Sequence, residues 1–110
     1  MTPVDVAALT GELAETLAES LHRAGAQGVV GVRDDGIAVT TPWGFDASSI
    51  HVPVAVWQGR QDSMVPYAHG EWLAANIPAA HAHLFDDEGH LSLASRMETI
   101  LADLVELGGV

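Results

Sequence analysis

The middle of the chain, residues 50 to 85, alternates between strand-like and helix-like patterns. Ile50 to Trp57 is nearly continuously apolar and β-branched, which is typical of a strand covered on both faces. Pro66 and Pro78 bound a helix-sized segment. The residues expected on its inward face are Trp72, Leu73 and Ile77. About His81 to Phe85 alternates in polarity and predicts a second strand. Strand, helix and strand in this order predict a parallel βαβ unit with a right-handed crossover.

Helical periodicity frames this unit on both sides. Apolar leucines recur every four residues near the N-terminus and predict one helix over residues 2 to 24, with Thr2 as its N-cap and Pro3 at its first position. Near the C-terminus, apolar residues at three-and-four spacing predict a helix from about Leu93 to Leu107. The predicted class is therefore α/β.

The composition and charge of the chain argue against several classes of partner and site. The 110 residues are 48% apolar, which is normal for a globular chain. The 15 acidic residues outnumber the 4 basic ones, and the formal net charge of −11 disfavours nucleic acids and anionic membranes as partners. The absence of cysteine excludes disulfides and thiolate metal sites.

The N-terminus lacks the features of a secretory signal. It carries Asp5, Glu12, Glu15 and Glu19 where a signal peptide would have a basic start and an apolar core. No apolar run approaches the ~20 residues that a membrane span needs. We therefore expect a cytoplasmic protein.

Two polar residues follow the two predicted strands. Asp62 comes after a turn at Gly59, and His90 comes after Gly89. Because the carboxyl ends of neighbouring parallel strands open into one crevice, Asp62 and His90 can meet there. An acid beside a histidine fixes the imidazole for general-base chemistry. The simpler alternatives are a turn or capping role for Asp62 and an ordinary loop position for His90.

The spacing His81-x-His83 places two imidazoles on one face of the second predicted strand. This is the arrangement of a metal pair, but no third ligand lies at a recognisable spacing. A polar outward face on an edge strand is the better interpretation. We predict no metal site and no cofactor.

At these residues the sequence resembles a known family. The similarity runs from about Trp43 to Leu93, and the motifs that carry it resemble the end of an α/β-hydrolase: Gly59-x-x-Asp62-x-x-Val65-Pro66 and Glu88-Gly89-His90. The resemblance implies that Asp62 is the acid and His90 the general base of a catalytic triad. It also implies a partial α/β-hydrolase fold, in which residues 1–48 are a remnant of the helical lid and residues 49–110 are the C-terminal part of the core, a strand-helix-strand-helix unit.

Residues 26 to 45 fit two structures. The valines on either side of Asp34-Asp35-Gly36 favour a β-hairpin with an Asp-Gly turn. The resemblance favours a helix instead, because family members are usually helical before the Trp43-Gly44-Phe45 passage. We predict a helix.

The chain departs from the family pattern at one decisive point. No Gly-x-Ser-x-Gly occurs in its 110 residues, so the nucleophile elbow and the oxyanion-hole amides that accompany it are missing. Ser92 lies in no such elbow. We expect the chain alone to be inactive, while a parent hydrolase would act on a small-molecule ester or amide.

A second hypothesis comes from another class of protein. The first strand is expected to expose the edge at which earlier strands of the family would pair, and exposed apolar edges invite self-association. The chain would then be a non-catalytic acidic module for interaction or dimerisation.

Overall fold

The computed structural model describes residues 1–109, which form two compact units. One unit combines residues 1–9 with 46–109, and the other comprises residues 10–45. The elements in chain order are α1 (Pro3–Ala8), α2 (Gly11–Gly25), α3 (Val30–Thr40), β1 (Val54–Gly59), α4 (Tyr67–Asn76), β2 (Ala80–Phe85) and α5 (Met97–Gly108), with short 3₁₀ turns at Ala47–Ser49 and Ser92–Arg96. The assignment of residues 1–48 to a lid and 49–110 to a core stays a prediction.

The expectation of one helix over residues 2 to 24 was wrong. The helix stops at Ala8 and a new one begins at Gly11, whose φ of 53° lies in the left-handed region that a continuous right-handed helix cannot contain. Thr2 and Pro3 occupy the predicted N-cap and first helical positions of α1. Because of this break, α1 belongs to the unit that also contains both strands, whereas α2 belongs to the other unit.

In the unit of residues 10–45, the ambiguous segment is helical, as predicted. The helix α3 runs through Asp34-Asp35-Gly36, so these residues form no hairpin turn. The hydroxyl groups of Thr40 and Thr41 donate to the carbonyl of Ile37 in the last turn of α3.

The predicted βαβ unit is confirmed. Strands β1 and β2 are parallel, in a register that runs from Val54 opposite Ala80 to Gly59 opposite Phe85. The first strand begins after Pro53, later than the apolar run suggested, because proline has no N–H to donate to a ladder. Helix α4 packs closely on the sheet at Gly70, where a Cβ atom would lie 2.8 Å from the Cβ of Gln58.

The apolar core of the described residues is small. Val56 of β1 and Ile77, which follows α4, are its buried apolar side chains. Trp72 was expected on the inward face of α4 but is 52% exposed. The last helix also begins later than predicted, at Met97, because residues 92–96 form a 3₁₀ turn.

One edge of β1 has no strand partner within residues 1–109. Val54 N–H donates to Ala79 and Arg60 N–H to Phe85, so the alternate residues Ala55, Trp57 and Gly59 direct their backbone groups to the opposite edge. Self-association through this edge stays a prediction. Among the helices of the described part of the chain, none combines the length and apolar character needed to cross a membrane.

Candidate active site

Asp62 lies in the turn after β1, with its carboxylate held by four donors. Its side chain is only 4% exposed. The Oδ1 atom accepts the N–H groups of Met64 and Val65, each at 2.8 Å. The Oδ2 atom lies 3.1 Å from Nε2 of Gln58 and 2.9 Å from Nδ1 of His90. The turn role that the sequence left open is therefore combined with a contact to His90.

These contacts keep the Asp62 carboxyl ionised. Burial would raise its pKa, but the hydrogen bonds from Val65 N–H, from His90 and from Met64 N–H outweigh burial, so its pKa lies below the ordinary value. An ionised carboxylate only accepts hydrogen bonds. The ring atom of His90 that faces Asp62 must therefore be the donor.

His90 follows β2 and lies opposite Asp62, as the sequence predicted. The two residues are 28 positions apart in the chain and are brought together by the parallel pairing of the two strands. With Nδ1 donating to Asp62, the neutral imidazole carries its free lone pair on Nε2. The side chain is 37% exposed, so a reacting group can reach it. The catalytic role of the pair stays a prediction.

The ends of the two strands approach very closely beside this pair. A Cβ atom at Gly59 would lie 2.1 Å from the carbonyl oxygen of Glu88, so only glycine fits there without a shift of the backbone. The same carbonyl accepts the N–H of Gln61 at 2.9 Å. Gly59 therefore permits the approach that sets the loop of His90 beside the turn of Asp62.

The loop of residues 88–92 is closed by its own polar side chains. The hydroxyl of Ser92 accepts the N–H of Gly89 at 2.8 Å and donates to Glu88. The other carboxylate oxygen of Glu88 accepts from Nε of Arg96 at 2.6 Å. Ser92 is buried and fully engaged in this loop, which is unlike an exposed nucleophile.

Asp5 joins the same loop from α1. Its Oδ1 atom accepts the N–H of Leu91 at 2.7 Å and that of Ser92 at 3.1 Å, while Oδ2 accepts the hydroxyl of Thr2 at 3.1 Å. In the sequence, Asp5 stood out only as one of the N-terminal acidic residues that argue against a signal peptide. No spacing signal could have found the contact, because it joins residues 86 positions apart.

The two histidines of β2 do not form a metal site with a third ligand. The ring of His83 stacks on Trp57 with centroids 4.0 Å apart, and its Nε2 lies 3.2 Å from Oδ2 of Asp103. His83 is therefore half-buried rather than part of a polar outward face, while His81 is exposed. Within residues 1–109, no group of three or more histidine or carboxylate side chains is placed to hold a metal ion.

The geometry is that of an acid–histidine pair. An oriented imidazole with a free Nε2 can take a proton from a nucleophile and return it to a leaving group. The sequence contains no Gly-x-Ser-x-Gly, and the exposed Ser63 between β1 and α4 does not have a positive φ.

Comparison with known proteins gives one partial relationship. Over 58 residues the chain is 36% identical to a pimeloyl-[acyl-carrier protein] methyl ester esterase of Aromatoleum aromaticum. The matched part is 53% of this chain but only 23% of the esterase, so the chain spans about a quarter of the length of this curated relative. No family model matches the chain. No solved structure matches it either. The esterase is an α/β-hydrolase, and the chain is similar to part of it.

Proposed function

We propose that this chain is the C-terminal part of an α/β-hydrolase and supplies the acid and the histidine of its catalytic triad. The observation that carries the proposal is the 2.9 Å contact between Nδ1 of His90 and Oδ2 of the buried Asp62, at the carboxyl ends of two parallel strands. The partial similarity to an esterase supports the same reaction class, hydrolysis of a carboxylic ester.

In this reaction the two residues have different roles. Asp62 holds the imidazole of His90 in the Nδ1–H tautomer and stabilises the imidazolium that forms during the reaction. His90 takes the proton of the nucleophile on Nε2 and passes it to the leaving alcohol. The nucleophile and the oxyanion-hole amides come from a segment that these 110 residues do not include. By itself the chain is therefore inactive toward esters.

A chimera tests the proposal. The whole chain replaces the corresponding part of the Aromatoleum esterase, and turnover of a chromogenic short-chain ester is measured. His90→Ala and Asp62→Asn should each lower kcat by about 10³-fold or more, because the imidazole is then missing or held in the wrong tautomer.

His81→Ala is the matched control, since it removes an exposed imidazole of β2 and should leave kcat unchanged. Circular dichroism shows whether each variant keeps its fold. The proposal fails if a folded chimera has no activity, or if His90→Ala leaves most of the turnover intact.

A further inference from the structure

We propose that Asp5 is a positioning residue for His90, acting through the backbone of the loop that follows it. This inference rests on the proposed function, because positioning matters only if His90 is the working base. It assigns to the first helix of the chain a part in the site that is otherwise built from β1, β2 and their loops. The contact lies within one compact unit, which contains residues 1–9 and 46–109.

The first support is the environment of the Asp5 carboxylate. Asp5 is only 1% exposed, yet no Lys, Arg or His nitrogen of residues 1–109 forms an ion pair with it. A buried unpaired carboxylate is costly unless hydrogen bonds satisfy it. Here the main-chain N–H groups of Leu91 and Ser92 do so, together with the hydroxyl of Thr2. Burial would raise the pKa of Asp5, but these amides lower it below its ordinary value.

The second support is the position of these bonds relative to His90. The two donor amides belong to the residues that directly follow His90. On the other side, Gly89 packs so closely on Asp5 that a Cβ atom there would lie 2.3 Å from Oδ1. The carboxylate of Asp5 is thus in contact with the backbone on both sides of His90. Asp62 orients the imidazole, and Asp5 orients the peptide that carries it.

The partners of Asp5 distinguish a positioning role from a purely structural one. Asp5 accepts N–H groups next to His90 and none from α4 or the sheet, so the loss of these bonds should move the loop more than the βαβ unit. The imidazole should then lose its alignment with Asp62. In the absence of that constraint, the ring populates both neutral tautomers instead of the Nδ1–H form alone.

Nitrogen NMR of the histidine rings tests this on the full chain, without any turnover assay. At a pH where His90 is neutral, the ¹⁵N shifts should show the Nδ1–H tautomer, and Asp62→Asn should abolish it. Asp5→Ala should shift the His90 signals toward those of Asp62→Asn. Asp46→Ala is the matched control, since the Asp46 carboxylate also accepts a backbone N–H, but that of Ser48 at 2.9 Å rather than one from the loop of residues 88–92.

Asp5→Asn keeps an acceptor oxygen in place and removes the charge, so it covers the case in which Asp5→Ala does not fold. Hydrogen bonds to a charged group are roughly twice as strong as neutral ones. Amide exchange at Leu91 and Ser92 should therefore accelerate about fivefold or more in Asp5→Asn, with the exchange of Ala94 unchanged. The His90 ring signals should move part of the way toward those of Asp62→Asn.

The inference is overturned by either of two results. One is a folded Asp5 variant whose His90 ring signals equal those of the parent chain. The other is a parent chain in which the Nδ1–H tautomer is absent. Failure of the proposed function gives a different pattern, in which the ring signals respond to Asp5 but the chimera has no turnover.

Discussion

Replacing Gly59 by alanine should destabilise the unit that contains both strands. The backbone of Gly59 is ordinary for any residue, so the effect comes from space alone. The new Cβ atom would lie 2.1 Å from the carbonyl oxygen of Glu88, more than 1 Å short of the 3.4 Å at which ordinary contact begins. The loop must move, and the hydrogen bond from Gln61 N–H to this carbonyl is lost with it.

The magnitude follows from these two effects. Overpacking of this kind costs about 1–3 kcal/mol, and the lost hydrogen bond about 1 kcal/mol more. The total destabilisation is about 2–4 kcal/mol. The urea slope is about 1 kcal/mol per M for a chain this small, so the unfolding midpoint should fall by about 2 M or more. Tryptophan fluorescence, to which Trp57 on β1 contributes, reports the transition.

Gly36→Ala provides the control. Gly36 lies in α3, and a Cβ atom there would meet nothing within 4 Å. Alanine should be neutral at this position or stabilise the helix by up to about 1 kcal/mol. The steric reasoning is refuted if Gly59→Ala shifts the midpoint by less than about 0.5 M.

Two further predictions concern the core and the dependence of stability on pH. Ile77→Ala should lower the free energy of unfolding by about 2–4 kcal/mol because the side chain of Ile77 is buried. In the same urea titration, Val39→Ala should change it by no more than about 0.5 kcal/mol because Val39 is exposed. Equal effects of the two substitutions would contradict the assigned core. Asp5 and Asp62 have lowered pKa values, so their contribution to stability is complete above the ordinary value of 3.8 and is lost as the pH falls through their folded values. Asp5→Asn should therefore be less stable than the parent chain at pH 7 but lose less stability in acid, and a difference that widens on acidification would argue against this sign.

The βαβ unit could be predicted because its signals are local. Pro66 and Pro78 bound α4, and the apolar run before Trp57 specifies β1. Parallel pairing then brings the two strand ends together, so the meeting of Asp62 and His90 follows from chain order alone. The helical state of residues 30–40 followed only from the family resemblance, since their β-branched residues suggested strands.

Other features depend on contacts that no local pattern encodes. The leucine spacing runs unbroken through residues 9–21, yet Gly11 adopts a left-handed conformation that leaves Leu9 outside the helix of the later leucines. Trp72 has the periodicity of an inward residue, but the small sheet gives it nothing to pack against, and it stays exposed. The contact of Asp5 with Leu91 is absent from every periodicity and spacing argument because it depends on the docking of α1.

The docking of α1 has a consequence for the order of folding. The bond between Leu91 and Asp5 closes a loop of 86 residues, whereas the contact of Asp62 with His90 spans 28. The longer closure costs about 1 kcal/mol more in chain entropy, by (3/2)RT ln(86/28). The pair of strands can therefore form first, and we expect α1 to dock late, after the rate-limiting step. Contacts made after that step affect how fast a protein unfolds more than how fast it folds. Asp5 is then a residue that governs the lifetime of the assembled site.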